Sequence, residues 1–116
     1  MTYRYLDAKD VEPQHGVLRP IRRTLEIESF GVNEIELPPN SETYPEHDET
    51  KTNHDELYIV LEGSATMTID GETLGLVPGH YVYVTPESKH HIAPGSSGLR
   101  YVAIGAPAEG KHGGRI

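Results

Sequence analysis

Whatever chemistry this chain performs falls to imidazole and carboxylate. Its seven histidines and 18 acidic residues come with no cysteine, which excludes thiolate nucleophiles, thiolate metal ligands and disulfides. His54 and Glu56 lie two residues apart at the head of the β-prone run Leu57-Tyr58-Ile59-Val60-Leu61. Alternate residues of an extended strand point to one face, so this pair would present an imidazole and a carboxylate together. Such donors suit a divalent Mn, Fe, Co, Ni, Cu or Zn ion, or a proton transfer. A metal site also needs donors that converge from other strands.

The elements that must position them are short strands. Leu25-Glu26-Ile27-Glu28 and Glu34-Ile35-Glu36-Leu37 alternate apolar and acidic residues, the pattern of half-buried strands. Pro38-Pro39 stops the second, because proline cannot donate to a ladder. After Leu57–Leu61, Glu62-Gly63 turns the chain into Ala65-Thr66-Met67-Thr68-Ile69, and Asp70-Gly71 is a two-residue hairpin signal. Leu74 to Val77 is a brief strand ended by Pro78-Gly79, which predicts a type II turn. Tyr81–Val84 and Arg100–Ile104 complete the set. The expected strands are residues 24–30, 32–37, 56–61, 64–70, 80–84 and 99–105. No segment longer than ten residues has a helical period, residues 1–16 are mixed, and the tail from Ala106 is expected to fray.

Composition agrees. With 116 residues, 12 Gly, 9 Pro, one Phe and no Trp, a single all-β domain with a thin core of Val, Ile, Leu and Tyr is expected. The net charge of −8 repels phosphate backbones and argues against nucleic acid as a partner. No apolar run approaches a membrane span and no leader pattern opens the chain. A soluble, cytoplasmic protein without a membrane partner is expected.

Residues 38–105 resemble the cupin superfamily. The resemblance rests on Glu56, six residues and Gly63, and on Pro78-Gly79-His80, Tyr81–Val84, Thr85-Pro86-Glu87-Ser88-Lys89 and His90, with the Asp70-Gly71 hairpin between. It implies a double-stranded β-helix, a jelly-roll barrel spanning 1–116 as one domain. The barrel core is expected at about 24–105, N-terminal strands within 1–23 in a dimer interface, and a C-terminal tail at 106–116. It also implies one divalent transition metal ion. The first motif departs from the family pattern: Glu49, Thr50, Lys51 and Thr52 stand where a His-x-His is usual. His47, His54, Glu56 and His90 would restore the three imidazoles and one carboxylate of metal-binding cupins, and Glu49 is the rival fourth ligand. His15, His80, His91 and His112 read as surface histidines. Tyr81, Tyr83 and Tyr101 read as core filler, and Tyr58 as either core or pocket lining.

The function this implies is a metal-dependent enzyme of isomerase, lyase or dioxygenase type acting on a small polar organic molecule. Glu49 or Glu56, if not a ligand, would serve as a general base. The alternative is a non-catalytic barrel that binds a small ligand. A homodimer is expected, because pairing removes an unpaired outer strand.

Overall fold

The computed structural model describes residues 2–41 and 49–114. A 3-10 turn at Ala8–Asp10 precedes β1 (Leu18–Arg19), α1 (Ile21–Leu25), β2 (Gly31–Leu37), β3 (His54–Ile69), β4 (Glu72–Leu76), β5 (Tyr81–Val84) and β6 (His90–Pro107). The two long strands, β3 and β6, build the fold. The first half of β3 pairs antiparallel with β5 and with the second half of β6. Its second half pairs with β4 and with the first half of β6. β2 and then β1 extend the first of these layers.

β3 bends between its halves. Its register slips between Val60 and Glu62 and again between Gly63 and Ala65, and such bulges sharpen the bend of a strand. Gly63 takes φ +83, and a Cβ there would run into the Gly98 carbonyl, so only glycine fits where the two long strands cross. Folding each strand over at this corner brings its two halves face to face.

The core lies between the layers. Ile35, Leu37, Tyr58, Val60, Val84 and Tyr101 face inward from the first, and Ala65, Met67, Leu76 and Ile92 from the second. Met67 is wholly buried, and burying a side chain of this size stabilises by about 1.5–3 kcal/mol. On the outer face, the buried Glu34 accepts from Arg100 Nη1 at 3.0 Å and lies 3.8 Å from Arg19 Nη1. These ion pairs tie β1, β2 and β6 together.

The turns form as their residues dictate. Asp70 and Gly71 have φ 49 and 86, the two left-handed residues of a type I′ hairpin. The Asp70 N–H donates to the Lys89 carbonyl at 2.9 Å, and Asp70 Oδ1 accepts from the Lys89 N–H at 3.0 Å. The hairpin is thereby clasped to the approach to β6. Gly79 has φ 93, as a type II turn requires at its third residue, and His80 Nδ1 accepts from the Val77 N–H at 3.2 Å.

Three expectations are corrected. Residues 24–30 are not a strand: Ile21 and Leu25, one helical turn apart, belong to α1. Glu26 ends α1 in the left-handed conformation, with the Ile27 N–H donating to the Arg22 carbonyl at 3.0 Å, a closing geometry that outweighs the local alternation. Tyr81 and Tyr83 are not core filler but 67% and 61% exposed, since Val82 and Val84 take the inner face opposite Tyr58 and Glu56. Finally, β6 runs from His90 to Pro107, well beyond the expected strand at 99–105, so Ala106 is a strand residue rather than part of the tail.

Candidate metal centre

Bending β3 and β6 at the corner places Glu56, in the first layer, opposite His90, in the second. Glu56 Oε1 lies 2.9 Å from His90 Nε2, and the Tyr58 hydroxyl lies 3.0 Å from the same nitrogen. That hydroxyl donates to Glu56 Oε2 at 3.2 Å. His90 is 1% exposed and Glu56 Oε1 is sealed from solvent. The Tyr58 ring stands edge-on to His90, with centroids 5.7 Å apart, and tilts against Tyr101 behind it.

The tautomer of His90 follows from its other nitrogen. Nδ1 is 2.9 Å from the Ser88 carbonyl, which can only accept, so Nδ1 carries a proton. In the neutral ring the Nε2 lone pair then points at Glu56 Oε1. Two electron-rich atoms this close need a proton or a cation between them. With a proton, the pair is an imidazolium–carboxylate. Burial pulls the His90 pKa down, but hydrogen bonds to Glu56 and the Ser88 carbonyl, together with the Glu56 and Glu49 charges, raise it on balance. Burial and the Glu56 charge push the Tyr58 hydroxyl up, far from ionising at neutral pH.

The pair also fits a divalent cation. A backbone carbonyl fixing the far nitrogen is the usual support of a metal-binding histidine, and a carboxylate with an imidazole is a transition-metal donor set. Ligands at about 2.0–2.2 Å that sit side by side on one ion lie about as far apart as these two atoms. Among the described residues, however, no group of three His, Cys, Asp or Glu side chains is gathered to hold an ion.

The four expected ligands therefore divide. Glu56 and His90 come together. His54 opens β3 beside Pro107 and shares the strand face of Glu56, but does not join a three-donor group with the pair. His47 lies outside the described residues. Glu49 is felt at the centre through its charge, which acts on both Tyr58 and His90; its N–H donates to the Pro86 carbonyl at 2.8 Å, and its Oε2 accepts from Thr52 at 3.1 Å. Sequence reasoning missed the Ser88 carbonyl, which only the path of the turn before β6 brings to the ring. Tyr58 combines both of its expected roles, since its ring packs in the core and its hydroxyl reaches the site. His15, His80 and His112 are exposed, while His91 is half-buried.

Two layers of antiparallel strands folded over a shared corner, with donors converging at the open end, define a double-stranded β-helix barrel. A cupin-domain family model matches residues 33–105, and the chain belongs to the cupin family. No curated protein matches it in sequence. Among solved structures, a cupin protein from Bacteroides fragilis superposes with TM-score 0.85 at 21% identity, covering 99% of this chain and 92% of its own. A predicted oxalate decarboxylase from Thermotoga maritima gives 0.76 at 15% identity, covering 90% and 99%. KdgF from a Halomonas species gives 0.62 at 15%, covering 70% and 71%. Likeness at these identities shows the fold alone. Among the described residues no helix is long and apolar enough to cross a membrane.

Proposed function

We propose that the protein is a metal-dependent enzyme acting on a small polar organic molecule. The observation that carries this reading is the convergence of His90 Nε2 and Glu56 Oε1 at 2.9 Å inside the barrel, with the His90 proton held on Nδ1 by Ser88. Glu56 and His90 would hold one divalent ion, with His54 and His47 as further candidate ligands. Such an ion supplies Lewis-acid or redox chemistry. The Tyr58 hydroxyl keeps its proton at neutral pH and fixes Glu56 through Oε2. Glu49, whose charge acts on Tyr58 and His90, would serve as a general base if it is not itself a ligand.

Elemental analysis of the purified protein and metal titration after stripping test this reading. One ion per chain is expected, with affinity falling at least 10–100-fold in His90→Ala, the scale of losing even a supporting residue. Full-length, folded protein that takes up no divalent ion would leave a ligand-binding barrel without metal as the better account. The net charge of −8 disfavours nucleic acid as a substrate.

For assembly we propose a homodimer. In support, Leu57, Ile59, Val102 and Ile104 form a half-buried apolar outer face beside the exposed Tyr81 and Tyr83. The same chain carries an N-terminal arm whose Tyr3 and Tyr5 are exposed and stack on each other. The reading fails if light scattering at micromolar concentration gives a monomeric mass.

A further inference from the structure

Away from the metal centre, charge gathers on the outer face of the first layer, at the corner end of the barrel. One row across the sheet reads Glu62, Arg100 and Glu36, and beside it Glu34 pairs with Arg19. Alternation from the buried Tyr101 turns Arg100 outward. Arg100 also lies five residues, about 17 Å of strand, from Gly105 at the level of Glu56. Asp7, Ala8 and Lys9 stand beside these rows and leave a cavity of about 390 Å³ against them. That wall is held in place. Asp7 accepts from the Lys9 N–H at 3.0 Å, Val11 is buried, and Arg19 Nε donates to the Val11 carbonyl at 3.3 Å.

The ion pairs on this face use only one oxygen of each carboxylate. Arg100 donates to Glu34 Oε1 at 3.0 Å and to Glu62 Oε1 at 2.7 Å, and Arg19 donates to Glu36 Oε1 at 2.9 Å. Among the described residues, the Oε2 atoms of these three glutamates take no hydrogen bond. Glu36 and Glu62 are exposed, and water serves them. Glu34 is 7% exposed, and its second oxygen is left to the cavity it lines. A buried carboxylate satisfied on one side only is costly unless a donor reaches the other. Around the cavity, Asp7 and the three glutamates face only Lys9, Arg19 and Arg100, so one negative charge is left over. Water can bond the oxygen but cannot offset the charge. Sharing the Glu62–Arg100–Glu36 row, a second cavity of about 380 Å³ is walled by Leu37, Pro38, Pro39 and Leu99.

We infer that the two cavities form one binding site, separate from the metal centre, for a small primary amine with an apolar tail. Its ammonium group brings three N–H donors to Glu34 Oε2 and the carboxylates flanking Arg100, and supplies the missing positive charge. The tail lies over the proline rings and the two leucines. Each cavity is far larger than the roughly 30 Å³ of a single water. Among the described residues no three acidic or histidine side chains gather to hold a metal here, so the cation is organic. Anions are turned away, because both guanidiniums are already engaged by carboxylates. The inference is independent of the metalloenzyme reading and stands or falls in metal-free protein.

Phenethylamine, titrated into nitrogen-15-labelled protein stripped of metal, tests this. Amide shifts should saturate with a Kd on the order of 1 mM and centre on residues 7–9, 34–39, 62–63 and 97–100. 2-Phenylethanol, which has the same shape without the charge, and methylamine, which lacks the tail, should each bind at least about ten-fold more weakly. Glu62→Gln, at an exposed position, removes charge without threat to folding and should weaken phenethylamine by about three-fold or more. Glu34→Gln should weaken it by about ten-fold or more in protein whose melting curve shows it folded. Glu72→Gln, on the other layer, should change nothing. Shifts that never saturate or that spread over the acidic surface around Glu72 would overturn the site. So would either control ligand binding as tightly as phenethylamine, or an affinity unchanged by Glu62→Gln. If Glu34→Gln does not fold, Glu62→Gln decides alone.

Discussion

The two ends of the barrel are built from the same two strands and solve opposite problems. At the corner, β3 and β6 fold over with Gly63 against Gly98, and Leu37, Val60, Ala65 and Leu99 close the space. At the mouth, the same strands carry Glu56, His90, His54 and Gly105, and polar atoms take the place of apolar volume. The corner spends its glycines on backbone geometry. One end is filled with apolar side chains, and the other holds a buried polar pair that the rest of the fold must stabilise.

Perturbing each end should give different signatures. The largest expected effect is Gly63→Val, which meets both a left-handed backbone and the Gly98 carbonyl. We expect a loss on the order of 4 kcal/mol or more, read as a collapse of the thermal transition. Met67→Ala should lose about 2–5 kcal/mol in chemical denaturation, the cost of a fully enclosed cavity. Glu34→Ala removes the buried carboxylate that Arg100 and Arg19 share, while Glu62 and Glu36 still pair with them at the surface. A loss of about 1–3 kcal/mol is expected, below that for a fully buried pair because both guanidiniums keep some water.

At the mouth the signature is pH rather than large stability loss. In the metal-free protein, the folded pKa of His90 is raised above its ordinary 6.5. Its pairing with Glu56 therefore stabilises fully below about pH 6.5 and fades as pH rises through the folded pKa. The melting temperature of stripped protein should fall across that window, and His90→Asn should flatten the slope. A parent whose melting temperature rises with pH there would contradict the assigned pairing. The smallest effect is expected at Tyr83→Phe on the outer face. Its hydroxyl is held by Asp55, but both groups meet solvent, so the melting temperature should be indistinguishable from that of the parent.

The tight turns were legible because they depend on local residue type, whereas the turn expected at Glu62-Gly63 is a bend within the unbroken β3. Asp70-Gly71 and Pro78-Gly79 allow few backbone geometries, and both turns form as their residues predict. Alternation was a poorer guide. At Leu25–Glu28 a short helix with a left-handed stop overrides it, and at Tyr81–Val84 it leaves open which set of side chains faces inward until the pairing with β3 decides. The same division holds for the site. Glu56 and His90 could be named through the cupin resemblance, which the two motifs carry. The Ser88 carbonyl and the reach of Tyr58 to both partners depend on which strands become neighbours. No local pattern carries that information.

Nitrogen-15 spectra of histidine-labelled protein, recorded at neutral pH before and after adding Zn(II), test the central claim most directly. The account predicts that His90 keeps its Nδ1 proton throughout, while its Nε2 resonance moves on titration to one equivalent, and that Glu56→Gln weakens this response. An Nε2 resonance unmoved by Zn(II), or a proton found on Nε2 with Nδ1 bare, would contradict it.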